Sequence, residues 1–381
     1  MSLTKAQEYE EPSRRALLGF CLASFVALSF VPLYGKSGYA DLSSQFSDHL
    51  HHVYGVWLFW KHGVAALTTP FGQLTSEGFP HQVALWPQTP WMYPAGTLLL
   101  FAPLTALAKL MPLTLHQLAI TSVLYLSLWS HLGFYLFARA LGRLSPGPRL
   151  FLTAIAWLML MRLTVEGFFD PLWLGAGAAV VGCAGRGQHE RALLWFAVAA
   201  SLHYRAVVFV PAGLYAFLAI VLRRAPRDWP HMVLSITALV CLSTVGFFLK
   251  MRPAHAAYVD QYPHVGRSLF LYMFLLLTAA TAAHQLRLRC WVGAATVLLA
   301  GVVGAADFRG FFGYWHHAPT MLALPVAAGL GLAEPAAQKA RASALLYGLA
   351  LSRMIWGCSP FDLLFLLADK LSWVVPPPPV P

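Results

Sequence analysis

The sequence predicts an all-α polytopic membrane protein, with about eleven transmembrane helices and one long outer loop that carries interfacial amphipathic helices. Composition is the first reason. Of the 381 residues, 58% are hydrophobic and 11% are charged, whereas a soluble globular protein carries about 25% charged residues. Most windows of about 15–20 residues therefore contain no charge, as a bilayer core requires. Soluble enzymes, nucleic-acid-binding modules, disordered chains and disulfide scaffolds are excluded.

Apolar stretches recur along the whole chain. The predicted spans are residues 16–34, 115–137, 150–165, 168–184, 192–202, 206–222, 231–249, 268–283, 291–306, 318–333 and 342–356. A further stretch at 97–110 is too short to cross comfortably and is bounded by Pro94 and Pro112. We expect this stretch to form a half-inserted or interfacial helix within the outer loop.

The basic residues set the predicted orientation. If 97–110 does not cross, alternate connections collect more than half of the 26 Lys and Arg residues, among them Arg14, Arg15, Arg139 and Arg186. Cytoplasmic loops carry such an excess, so the amino terminus is predicted to be cytoplasmic and residues 35–114 to lie outside. The net charge of +11 has this topological cause, and no nucleic-acid partner is predicted.

Four segments follow from this topology. Residues 1–15 form a cytoplasmic segment, and residues 16–230 form a transmembrane module that includes the outer loop 35–114. Residues 231–358 add further transmembrane helices, and residues 359–381 end in a polyproline-like tail. The richness in Ala, Arg and Pro indicates a GC-rich bacterial genome and hence the cytoplasmic membrane. A eukaryotic source would place the protein in the endoplasmic reticulum.

The acidic residues are predicted to face outward, most of them beside a span end. These acids are Asp41, Asp48, Glu77, Glu166, Asp170, Asp260 and Asp307. His51 and His52 follow Asp48 by three and four residues, so the three side chains share one face of a helix. That pattern suits a general base with an orienting partner, or a divalent-ion site. A solvated polar face on an interfacial helix is the alternative.

The spans 192–202 and 206–222 are joined by a short break that contains His203 and Arg205. A charge at membrane depth costs about 2.5–3.5 kcal/mol on insertion scales, so we expect this break to have a function. Other cationic and aromatic residues are predicted outside, namely Lys250, Arg252, Arg309, Trp315 and His316. A phosphate group at the membrane surface would favour such cations, and contact with lipid headgroups is the alternative.

In this order, the features resemble the GT-C superfamily of multi-span glycosyltransferases. Those proteins have a cytoplasmic amino terminus, one span, a long outer loop with an early acid, interfacial helices, a Tyr-Pro turn into the next helix and a second outer acid. The corresponding positions here are Asp48-His49, Lys61-His62-Gly63, Tyr93-Pro94-Ala95-Gly96, Glu166 to Asp170, and His203-Tyr204-Arg205. The resemblance covers residues 1–230.

The resemblance implies transfer of a mannose-like hexose from a polyprenyl-phosphate carrier to a lipid, glycan or protein acceptor at the outer face, by an inverting displacement. It implies Asp48 as the base, with Asp41 second, and Mg or Mn as the candidate cofactor. Phosphate binding is assigned to Arg205, Arg252 and Arg309, supported by His203 and Lys250. The predicted substrate contacts are His49, His52, Trp91, Tyr93, Glu166, Asp170, Trp315 and His316.

Three other classes stay open at this point. A polytopic transporter also places charges at span ends and breaks its helices, but no internal repeat is visible and the acids cluster on one side. Another lipid-modifying membrane enzyme, such as an acyltransferase built around His316 or His317, would not need Asp48. A structural or assembly subunit would tolerate replacement of every outer acid.

Overall fold

The computed structural model describes residues 13–34, 48–74, 79, 90–91, 93–141, 168–222 and 291–310, with isolated positions in 147–164 and 278–287. Every regular element in these ranges is helical. The α-helices are α1 (Arg14–Tyr34), α2 (Asp48–His62), α3 (Ala65–Thr68), α4 (Gly96–Leu110), α5 (Leu115–Ala140), α6 (Asp170–Gly185), α7 (His189–Leu202), α8 (Val210–Leu222) and α9 (Trp291–Gly310). Two 3-10 helices are Phe71–Gln73 and Tyr204–Phe209.

The predicted all-helical class is confirmed over the described part of the chain. Two helical segments, Gln117–Ala140 and Tyr204–Leu222, are long and apolar enough to cross a membrane by length and composition. Helices α1, α6, α7 and α9 coincide with other predicted spans. The predicted spans 231–249, 318–333 and 342–356 lie outside the described residues, and 150–165 and 268–283 are described only at isolated helical positions.

Small residues bring α5 and α6 together. Gly133 of α5 lies against Gly175 of α6, and seven residues further along both helices Ala140 lies against Gly182. Because both contacts advance in the same direction, α5 and α6 run parallel. The chain must return between them to the end where it started, which agrees with a predicted span at 150–165. A Cβ atom on Gly175 would collide with the backbone of Gly133, so glycine permits this close approach.

The helices packed around this parallel pair run in both directions. α1 is antiparallel to α5, because Phe20 contacts Phe134 and Phe25 contacts His131. α7 and α8 form a hairpin around the break at His203, with Phe196 packed against Gly213. α1 and α7 therefore end where α5, α6 and α8 begin, and we call this the His203 end of the bundle. The opposite end carries the arginines Arg14, Arg15, Arg139, Arg186 and Arg191.

A buried polar chain ties α1 to α5 and to the segment that contains Trp157. Nδ1 of His131 donates to the carbonyl oxygen of Ser127 at 2.7 Å, so Nε2 accepts from the hydroxyl of Ser24 at 2.8 Å. The indole Nε1 of Trp157 donates to the same hydroxyl oxygen at 2.8 Å. His131 is thereby satisfied at both nitrogens, and it acts as a structural tie between helices.

The predicted outer-loop helices sit at the His203 end. α2 ends at His62 and is followed by Gly63, whose φ is 60°. α2 packs against α4, and the hydroxyl of Thr105 on α4 donates to the carbonyl oxygen of Val53 on α2 at 2.9 Å. The start of α4 reaches the end of α7, because Gly96 lies directly against Ser201. These contacts carry residues of the loop 35–114 to the break between α7 and α8.

Candidate functional site

Helix α2 brings two histidines into the interior of the protein. The side chains of His51 and His52 are 4% and 2% exposed, and the apolar residues around them on α2 are buried too. The alternative of a solvated polar face therefore does not hold for these two residues. Asp48, the predicted base, is the first residue of α2 and lies one turn before His52; the structure describes its backbone only.

Tyr93 connects α2 with two other parts of the chain. It precedes a turn in which the backbone N–H of Thr97 donates to the carbonyl oxygen of Pro94 at 3.0 Å, at the start of α4. The Tyr93 ring centroid lies 4.7 Å from that of His52 and 5.7 Å from that of His203. Tyr93 and His52, two of the predicted substrate contacts, are therefore neighbours.

Asp170 opens α6, and its side chain is only 4% exposed. One of its carboxylate oxygens, Oδ1, accepts a hydrogen bond of 2.9 Å from the indole Nε1 of Trp173, one turn later. The preceding residue, Phe169, places its ring 5.2 Å from His52 and 6.0 Å from His203. The second predicted outer loop thus ends in the same cluster as α2 and Tyr93.

The predicted break between the two spans is confirmed at His203. This residue has extended backbone, with φ of −147° and ψ of 134°, between the end of α7 and the 3-10 helix Tyr204–Phe209. Its ring nitrogen Nδ1 accepts from the backbone N–H of Arg205 at 3.1 Å. Because Nδ1 accepts, the imidazole is neutral and carries its proton on Nε2, where it is a donor.

Arg205 is the buried cation of this cluster. Its side chain is 9% exposed, and its guanidinium carbon lies 5.3 Å from the centroid of the Tyr204 ring. The Tyr204 ring in turn lies 4.6 Å from that of His203. A buried arginine on an aromatic face, beside a donor imidazole, is suited to binding an anion such as phosphate.

Trp91 lies next to this cluster and packs against α2 at Gly55. It is 4% exposed, and its ring centroid is 5.7 Å from that of His52. The indole occupies the space that a Cβ atom on Gly55 would need. Trp91 is therefore buried at the edge of the cluster, where it packs beside His52 and Tyr93.

The structure brings together six of the predicted site residues: His52, Trp91, Tyr93, Asp170, His203 and Arg205. The remaining predictions stay predictions. Asp41, Glu166, Lys250, Arg252, Trp315 and His316 lie outside the described residues, and for Asp48, His49 and Arg309 only the helical backbone is described.

Two residues of the cluster were missed in the sequence. Phe169 and Trp173 flank Asp170 at the start of α6, and both are buried, at 2% and 0% exposure. Their signal is the spacing Asp170-x-x-Trp173, since residues three apart on a helix meet. In a membrane sequence, aromatic residues within an apolar run are interpreted as lipid-facing, so their place in a buried cluster is not recognised.

The cluster combines one carboxylate, one guanidinium, the two imidazoles of His52 and His203, and several aromatic faces. Aromatic rings stack on the apolar faces of sugars, and the cation and the imidazole N–H suit a phosphate. Within the ranges that the structure describes, no three His, Cys, Asp or Glu side chains come together as metal ligands.

Comparison of the chain with known protein families, with curated proteins and with solved structures finds no match. Over the residues that the structure describes, the fold and the cluster define a helical protein with two candidate membrane-crossing segments and a buried polar and aromatic cluster at one end of its bundle.

Proposed function

We propose that the protein is a membrane glycosyltransferase of the GT-C type. It transfers a mannose-like hexose from a polyprenyl-phosphate carrier to a lipid, glycan or protein acceptor at the outer face of the membrane. The displacement is inverting, with a carboxylate as base. The chain crosses the membrane about eleven times in the bacterial cytoplasmic membrane, in contact with membrane lipids, with its amino terminus in the cytoplasm.

One observation carries this proposal: the outer loop, the start of α6 and the break after α7 meet in one buried cluster. His52 and Tyr93 come from the loop, Asp170 from α6, and His203 and Arg205 from the break. These are the places where the resemblance expects a substrate and a lipid phosphate. Burial of charged and polar groups at an apolar bundle is costly and is typical of functional sites.

The proposed roles follow from the chemistry of each side chain. The Arg205 guanidinium and the Nε2–H of His203 stabilise the charge that develops on the leaving phosphate. Asp170 accepts hydrogen bonds from sugar hydroxyls, and Tyr93 offers a ring face to the sugar. Asp48, one turn before His52 on α2, takes the proton from the acceptor hydroxyl, with Asp41 as the second candidate.

The arginines support the proposed orientation. Arg14 begins α1, Arg139 lies in the last turn of α5, and Arg186 follows α6. All three lie at the end opposite His203. Since positive charge is retained on the cytoplasmic side, the His203 end faces outward.

The test is transfer of radiolabelled sugar from a membrane lipid pool by purified protein. Wild type, Asp48→Asn and Asp41→Asn are compared in the same detergent, with and without EDTA to determine the need for Mg or Mn. We expect wild type to consume lipid-linked sugar and Asp48→Asn to lose transfer while it elutes as a folded protein. Full activity of Asp48→Asn, with loss in Asp41→Asn, would move the base to Asp41.

A transporter is the second candidate, and the helix break at His203 favours it, because transporters bind substrates at discontinuous helices. It predicts uptake of a labelled anion into proteoliposomes without consumption of any lipid-linked sugar. That result would replace the glycosyltransferase proposal.

A further inference from the structure

Trp173 is buried in the cluster and contacts residues from two different elements. It lies on α6 one turn after Asp170, and its side chain is 0% exposed. Its indole Nε1–H donates to Oδ1 of Asp170 at 2.9 Å. A hydrogen bond to a charged group is stronger than one between neutral groups, so this contact holds the carboxylate in one orientation.

The face of the same indole lies against His203. The two rings are nearly parallel, with centroids 4.9 Å apart and an interplanar angle of 22°. The orientation of the imidazole within its own plane is also restrained, because Nδ1 accepts a hydrogen bond from the backbone N–H of Arg205. One rigid side chain thus touches the carboxylate at the start of α6 and the imidazole in the break after α7.

The indole is itself held in place by close packing. Phe209 meets it in an edge arrangement at 6.4 Å, and the Phe209 ring occupies the space that a Cβ atom on Gly177 would need. Gly177 follows Trp173 by one turn of α6. Because the indole is fully buried, packs against Phe209 and donates its N–H to Asp170, its orientation is restrained, and it is a reference for Asp170 and His203.

We propose that Trp173 is a positioning residue of the site, which sets the orientation of the Asp170 carboxylate relative to the imidazole of His203. This inference rests on the proposed function. Trp173 acts through the two residues that it holds, and its contribution is pre-organisation of Asp170 and His203 for the transition state.

The kinetic test removes the N–H donor and keeps an aromatic ring. Trp173→Phe is expected to lower kcat by about tenfold or more, as expected for a lost hydrogen bond to a charged group, and to leave KM for the donor nearly unchanged. The double variant with Asp170→Ala, which removes the acceptor, should be no slower than Asp170→Ala alone. Trp57→Phe is the matched control, because the Trp57 indole N–H has no hydrogen-bond partner among the described residues; it should retain wild-type kcat.

A second readout does not depend on activity. In protein labelled with ¹⁵N-tryptophan, the indole signal that disappears in Trp173→Phe is expected to shift in Asp170→Ala, while the Trp57 signal stays in place. An unshifted signal, additive kinetic losses, or wild-type kcat in Trp173→Phe would each overturn the proposal while leaving the glycosyltransferase proposal intact. A wild type that consumes no lipid-linked sugar would overturn both.

Discussion

Gly133 of α5 and Gly175 of α6 face each other so closely that a Cβ atom on Gly175 would overlap the backbone of its partner. This contact sets the separation and register of two parallel helices. It also fixes the start of α6, where Asp170 and Trp173 join the cluster. Helix packing and the geometry of the site are therefore coupled.

Gly175→Ala should destabilise the protein. The added methyl group must push α6 away from α5, and overpacking of this kind costs about 1–3 kcal/mol. The control is Gly19→Ala on α1, where a Cβ atom meets nothing within 4 Å. There the higher helix propensity of alanine should leave stability equal or raised. Thermal melting in detergent measures both, and equal shifts in the two variants would contradict the close contact.

Ser24→Ala should weaken the tie between α1 and α5. The change removes the hydroxyl that serves both His131 and Trp157, so two buried groups lose a partner. We expect a loss of about 1–2 kcal/mol, near the upper end for hydrogen bonds between membrane helices. Ser29→Ala is the control, because the Ser29 hydroxyl donates within α1, to the carbonyl oxygen of Phe25. A melting temperature equally lowered in both variants would argue against the buried chain.

Arg205→Ala should lower kcat/KM for lipid-linked sugar by about 100-fold or more, as for loss of a donor to a developing oxyanion. Arg205→Lys keeps the charge but loses the planar fork and its stacking on Tyr204, so it should restore only part of the activity. Arg191→Ala removes an exposed arginine at the opposite end of the bundle and should behave as wild type. Full activity of Arg205→Lys and Arg205→Ala alike would remove Arg205 from the phosphate site.

The proposed orientation predicts which side of the membrane each end of the bundle faces. Single cysteines are introduced by Met111→Cys and Gln188→Cys into a variant whose five native cysteines are replaced by alanine. Met111 lies between α4 and α5, and Gln188 lies between α6 and α7. An impermeant thiol reagent should label position 111 in intact cells and position 188 only after the membrane is opened. The reverse pattern would invert the protein, and equal labelling would mean that no membrane separates the two positions.

The sequence alone predicted the elements of this fold. Hydropathy and helix length depend on neighbours along the chain, so α1, α5, α6, α7 and α8 were predicted close to their observed bounds. The break at His203 was predicted for the same reason, because a short polar segment between two apolar runs is a local signal. The pattern of His51 and His52 on one face was also visible, but it did not reveal that both are buried.

Only the tertiary structure decided which residues meet. The contact of Trp173 with Asp170 and His203, the tie of Ser24 to His131, and the approach of Gly133 to Gly175 join residues whose pairing depends on how helices pack. That packing is set by the sizes of side chains on two surfaces at once. Such complementarity is a property of pairs of residues that are distant in the sequence, whereas composition and periodicity are properties of one segment. Composition and periodicity therefore determined the class and the helices of this protein but not its cluster.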